Sequence, residues 1–143
     1  SQFVCFTKNN IFTYENNRIM STKFMKPTEG ELEILQVLWK KQQASVREVH
    51  EEIIKNKEAG YTTTLKLMQI MFEKGLVSRD SSSKVHVYTP LVTKENTQSV
   101  LLNKMIDSLF GGSSAQLVMQ ALGNHKASKE ELEEISNFLK GIK

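Results

Sequence analysis

A chain of 143 residues, 39% of them apolar and with a formal net charge of +3, has room for one domain or two small ones and carries no strong charge bias. Its single cysteine, Cys5, excludes an internal disulfide and any cysteine metal cluster. No apolar run of about 18 residues occurs, which excludes a helical membrane span. No basic stretch followed by a long apolar region opens the chain. The expectation is a cytoplasmic protein without membrane contact of its own.

Residues 1–24 differ from the rest. Phe3-Val4-Cys5-Phe6-Thr7 and Ile11-Phe12-Thr13-Tyr14 are β-prone runs about the turn-like Lys8-Asn9-Asn10, which suggests a β-hairpin in an N-terminal extension. Met20 and Met25 are alternative natural starts for the body that follows. Thr28-x-x-Glu31 is a capping box, and Leu32, Ile34, Leu35, Leu38 and Trp39 mark a first amphipathic helix. Lys40 to Ala44 is a short break. Ser45-x-x-Glu48 is a second capping box, before Val49, Ile53 and Ile54 at helical spacing. Asn56 to Gly60 reads as a loop.

A third helix follows, with Thr62 as its expected N-cap and Gly75 as its C′ residue. Leu65, Leu67, Met68, Met71 and Phe72, with Thr64, fall on its apolar side. Thr62, Thr63, Lys66, Gln69, Glu73 and Lys74 fall on the other, with Ile70 as the one apolar residue among them. Threonine, lysine, glutamine and isoleucine on a wet face can meet phosphates, base edges or a thymine methyl. Thr62, Thr63, Lys66, Gln69 and Ile70 are therefore the DNA-reading set. Leu76 to Arg79 and Val85 to Tyr88 alternate about the polar tip Asp80 to Lys84 and form a hairpin that Pro90 closes. Arg79 and Lys84 on this wing suit phosphates. Helix, helix, helix, hairpin is a winged helix-turn-helix over residues 25–92.

Residues 93–143 read as wholly helical. Leu101, Leu102, Met105, Ile106, Leu109 and Phe110 line one helix, and Gly111-Gly112 breaks it. Leu117 to Leu122 mark a short helix, and Ser128-x-x-Glu131 caps a last one with the stripe Leu132, Ile135, Phe138, Leu139 and Ile142. Three such helices bury too little surface alone, so a symmetric partner is expected to complete the core. Leu102, Ile106, Leu109, Leu132, Ile135, Phe138 and Leu139 are the expected dimerisation residues. The fold class is thus mainly α with a small β wing: a winged-helix DNA-binding domain and a C-terminal helical dimerisation domain.

From about Met25 to Lys143 the chain resembles the BlaI/MecI family of penicillinase repressors. The resemblance rests on Glu31-Leu32-Glu33-Ile34-Leu35 with Leu38-Trp39, Val46-Arg47-Glu48-Val49, Tyr61-Thr62-Thr63, Glu73-Lys74-Gly75-Leu76, Tyr88-Thr89-Pro90, Phe110-Gly111-Gly112-Ser113 and Glu130-Glu131-Leu132. It implies a homodimeric repressor on a palindromic double-stranded DNA operator, relieved by cleavage that a membrane β-lactam sensor-protease system triggers. Three features depart from the family pattern. Lys66 and Ile70 replace a common Thr and Arg, Ser83-Lys84 replaces a wing-tip Gly-Arg, and Gln120-Ala121 stands at the Asn-Phe bond that staphylococcal members lose on cleavage.

An enzyme is disfavoured. His50, His86 and His125 are scattered, with no zinc-helix spacing, nucleophile elbow or phosphate loop. No metal site or cofactor is expected. A repressor responsive to metal or another signal, or a winged-helix protein-interaction module, is the alternative. The first domain shows no spare apolar concavity for a drug-sized ligand, so relief is expected to act through the C-terminal helices.

Overall fold

The computed structural model describes residues 3–7, 10–15, 18–21, 26–124 and 126–142, with side chains from Lys26 onward. The Lys8-Asn9 turn, the start at Met25 and the loop position of His125 lie outside the described residues. Contacts divide the chain into two compact units, residues 1–100 and 101–143.

The first unit opens with an antiparallel sheet in the order β1-β2-β3, formed by Phe3–Thr7, Asn10–Glu15 and Arg18–Ser21. Phe3 pairs with Tyr14 and Cys5 with Phe12, and β3 adds a strand beyond the two runs legible in the sequence.

Helix α1, Glu29–Lys41, starts on the Thr28 capping box, in which Glu31 N donates to Thr28 Oγ1 at 3.3 Å and Thr28 N donates to Glu31 Oε2 at 3.1 Å. Gln42, in the left-handed region at φ 72°, ends it. The chain then forms a two-residue strand β4, Ala44–Ser45, where the sequence reads only as a break. Two residues are too few to show a period, and β4 exists because Ala44 and Ser45 pair with Tyr88 and Val87 far along the chain. Ser45 also caps α2, Val46–Ile53, with its own capping box to Glu48.

Helix α3 spans Tyr61–Glu73. Its N-cap is Gly60, not Thr62, because the Gly60 carbonyl already accepts from Thr63 N at 3.1 Å and Thr64 N at 3.2 Å. Thr62 is left inside the first turn. At the other end Gly75, at φ 78°, closes a Schellman turn: Leu76 N donates to Met71 O at 2.9 Å and Gly75 N to Phe72 O at 3.1 Å. The wing follows as β5, Val77–Asp80, and β6, Val87–Pro90, in a sheet ordered β4-β6-β5. Val85 and His86 lie in the tip and not in the strand, and Pro90 pairs with Val77 inside the ladder.

Ile34, Leu35 and Leu38 from α1, Val49 and Ile53 from α2, Met68 and Met71 from α3, and Val77 and Tyr88 from the wing make one buried core. Trp39 borders it and donates Nε1–H to Val92 O at 2.8 Å. Two features of this unit differ from what the sequence leads one to expect. Phe72 is 39% exposed, not packed in the core. And α1 with the segment after β6 does form an open concavity of about 450 Å³, lined by Leu38, Trp39, Leu91 and Val92 among others.

Helix α4, Lys94–Leu109, runs from the first unit into the second. The second unit continues with α5, Ser114–Asn124, and α6, Lys129–Gly141, the latter on the Ser128 capping box. Gly111 and Gly112, at φ 56° and 85°, turn the chain between α4 and α5 through backbone that other residues rarely adopt. Among the described residues no helix is long and apolar enough to cross a membrane.

Candidate nucleic-acid interface

The core uses one side of α3 and leaves the other to solvent. Thr64, Met68 and Met71 are fully buried, while Thr62, Thr63, Lys66 and Gln69 are exposed. Thr62, Lys66, Gln69 and Glu73 recur at helical spacing, so they form one outer strip. Ile70 is half-buried at the margin of this strip. Lys66 thus presents an ammonium near the middle of the strip, and Glu73 a carboxylate at its C-terminal end.

The wing stands against the C-terminal half of α3. Arg79, expected from the sequence to suit phosphates, shares the inward-pointing register with Val77 and is half-buried. Its guanidinium carbon lies 4.4 Å from the centroid of the Phe72 ring, a cation–π contact that explains why an aromatic residue stays at the surface there. Arg79 Nε is buried and has no hydrogen-bond partner among the described residues. Lys84 is exposed in the wing tip. There Asp80 accepts from Ser82 N at 2.9 Å, and this backbone bond, with one from the Ser82 side chain, holds the Asp80 carboxyl below its ordinary pKa.

Polar contacts fasten both ends of α3. Lys74, placed on the wet face by periodicity alone, turns back to Glu31, with Nζ 2.8 Å from Oε1 and 3.0 Å from Oε2. Glu31 is 1% exposed, so this pair closes the core between α3 and the start of α1. At the other end His50 Nδ1 is hydrogen-bonded to Thr64 Oγ1 at 3.1 Å. No local pattern in the sequence links His50 to a partner 14 positions on. Among the described residues no group of His, Cys, Asp and Glu has the makings of a metal site.

A three-helix core, a solvent-facing third helix and an adjoining β wing define a winged helix-turn-helix DNA-binding protein. The chain belongs to the penicillinase repressor family, whose model matches residues 27–141, and it is a DNA-binding repressor. It is 24% identical over 123 residues to the penicillinase repressor of Staphylococcus aureus, covering 86% of this chain and 98% of that one. It is 26% identical over 120 residues to the methicillin resistance regulatory protein MecI of S. aureus strain N315, covering 84% and 98%. The solution structure of the DNA-binding domain of the repressor BlaI aligns with a TM-score of 0.47 at 25% identity, over 52% of this chain and 92% of that one.

Proposed function

We propose that this repressor acts as a homodimer on a palindromic operator, with α3 in the major groove and the wing on the phosphate backbone. The observation that carries the reading is the outer strip of α3. Thr62, Thr63, Lys66 and Gln69 are solvent-facing groups on a helix whose opposite side is buried. Ile70, at the margin, suits an apolar contact with a thymine methyl. Glu73 repels phosphate, so the N-terminal two-thirds of the strip faces the bases. Arg79, over the Phe72 ring, and Lys84 at the tip serve phosphates.

The second unit supports the dimer. Leu109 and Phe138 are 73% and 69% exposed, Leu102, Leu132 and Leu139 are exposed, and Ile106 and Ile135 are only half-buried. Apolar stripes this bare on three helices suit a second copy, and paired copies suit paired half-sites. Residues 25–92 are then the reading domain and 93–143 the pairing domain. The protein works where the DNA is, in the cytoplasm.

Relief by proteolysis, through a membrane sensor-protease system, is part of the proposal. Gln120 and Ala121 are exposed but lie within α5, so a protease that needs extended chain must first unwind that helix. Gly111-Gly112 before α5 and Gly123 in its last turn favour such unwinding. Enrichment of duplexes from a random-sequence pool by the purified chain tests the reading. A palindromic consensus with two half-sites about one helical turn apart is expected. No enrichment, or an asymmetric single site, would refute it.

A further inference from the structure

In the first unit α1 and α2 start on side chains, and α3 does not. Thr28 and Ser45 hold the starts of α1 and α2 with reciprocal capping boxes, whereas α3 starts on Gly60, which makes no side-chain cap bond. This uncapped first turn carries Thr62 and Thr63, two of the residues proposed to meet DNA. Their placement therefore needs support from elsewhere.

The support comes from α2. The His50 ring, in the last turn of α2, meets the Tyr61 ring edge-on, with centroids 5.4 Å apart and planes at 84°. Its Nδ1 is hydrogen-bonded to Thr64 Oγ1 at 3.1 Å, and Thr64 is 2% exposed. Tyr61 and Thr64 are the first and fourth residues of α3, so they lie one turn apart on the same side. One side chain thus grips both limits of the uncapped turn. Either neutral tautomer serves. With the proton on Nε2 the Thr64 hydroxyl donates to Nδ1, and with the proton on Nδ1 the ring donates to the hydroxyl.

We propose that His50 is a positioning residue for DNA reading: it sets the first turn of α3, and so the register of Thr62 and Thr63 against the bases, without touching DNA itself. The proposal rests on α3 being the recognition helix. His50→Leu keeps much of the apolar contact but deletes the hydrogen bond. His50→Asn places a carboxamide near the Nδ1 position, where it can donate or accept.

The test uses the full chain. Duplexes are enriched from a random-sequence pool by the wild type, and each variant is measured against the enriched duplex and a scrambled duplex of equal length. The readout is the ratio of the two affinities. His50→Leu is expected to lower the ratio about tenfold, the scale of one misplaced base contact. Affinity for the scrambled duplex, which phosphates set, stays unchanged. His50→Asn keeps the ratio within about threefold of wild type. A purely structural role would lower both affinities together and leave the ratio intact. Thr64→Val removes the same bond from its other partner with a near-isosteric side chain and repeats the test should His50→Leu not fold. A wild-type ratio in either deletion, or equal losses in His50→Leu and His50→Asn, would overturn the proposal. If the wild type enriches no duplex, the recognition-helix reading itself falls, and this proposal with it.

Discussion

Lys74 joins the end of α3 to the start of α1, and its removal has a calculable cost. The Glu31 side chain is 2% exposed and that of Lys74 20%. Both carboxylate oxygens face the ammonium, and Oε2 also accepts from Thr28 N at 3.1 Å. Lys74→Met keeps the aliphatic stem but leaves a buried carboxylate with one backbone donor. Breaking a fully buried pair from one side costs about 3–5 kcal/mol. Lys74 lies at the boundary of the core, so water reaches part of the gap, and about 2–3 kcal/mol is expected. Glu31→Gln should be milder, about 1 kcal/mol, because the stranded ammonium can swing into solvent and Thr28 N keeps an oxygen acceptor.

The double variant should be more stable than the two losses predict together, by about 1–2 kcal/mol of coupling. The assay is urea unfolding followed by the fluorescence of Trp39. It is the chain's only tryptophan and sits in the first unit, so the signal reports that unit alone. A Lys74→Met variant within about 0.5 kcal/mol of wild type would refute the reasoning. So would a Glu31→Gln variant that loses more than Lys74→Met.

Four further outcomes are expected. Lys66→Ala should weaken binding to the enriched duplex by about 1–3 kcal/mol and relax preference at one base position; a uniform loss across sequences, with a shallower salt slope, would reassign Lys66 to phosphate. Lys84→Glu should weaken all duplexes alike at moderate salt, and full affinity would remove the wing tip from the interface. Leu109→Asp changes a residue that is 73% exposed, so the fold should persist while sedimentation at micromolar concentration shows monomer in place of dimer; an unchanged dimer would locate the interface elsewhere. In α2, Ser45 N and then Ser45 Oγ donate to Glu48 and hold its carboxyl below the ordinary value, so this stabilisation is present above the unfolded carboxylate pKa of about 4.3 and is lost as pH falls through the lower folded value. Glu48→Gln should therefore flatten the acid limb of the Trp39 unfolding curve, and an unaltered limb would show the acid sensitivity to lie in other groups.

Local signals were legible, and long-range ones were not. Capping boxes at Thr28, Ser45 and Ser128 mark helix starts from four consecutive residues, and the structure has all three. The Gly75 stop is equally local. The start of α3 misleads because Thr62 has the chemistry of a cap, while the decision belongs to the Gly60 carbonyl and to what packs on the first turn. Strand β4 depends on a partner strand some 40 residues away, and a two-residue segment carries no period of its own. Phe72 has an apolar residue's periodicity, yet its neighbour is a cation on the wing. Lys74 has a surface residue's periodicity, yet its partner Glu31 lies 43 positions earlier. In the second unit the stripes are plain in the sequence because helical spacing is local.

Several contacts outside the apolar core bear on α3. On α3 only Thr64, Met68 and Met71 are fully buried, and methionine is a soft, adaptable packing residue. Such a contact fixes the distance of the helix from the core better than its rotation. A helix with side chains is about 10–12 Å across, so a rotation of about 20° moves its outer surface by roughly 2 Å. That displacement is enough to take a side-chain donor out of hydrogen-bond range of a base edge. Directional contacts at the ends of α3 help to set its rotation, beside the core packing of Leu65 and Leu67. His50 holds the first turn through Tyr61 and Thr64, Lys74 closes on Glu31 at the last, and Arg79 leans on Phe72 from the wing. The apolar core makes the unit fold, and these polar and aromatic clamps hold α3 at both ends.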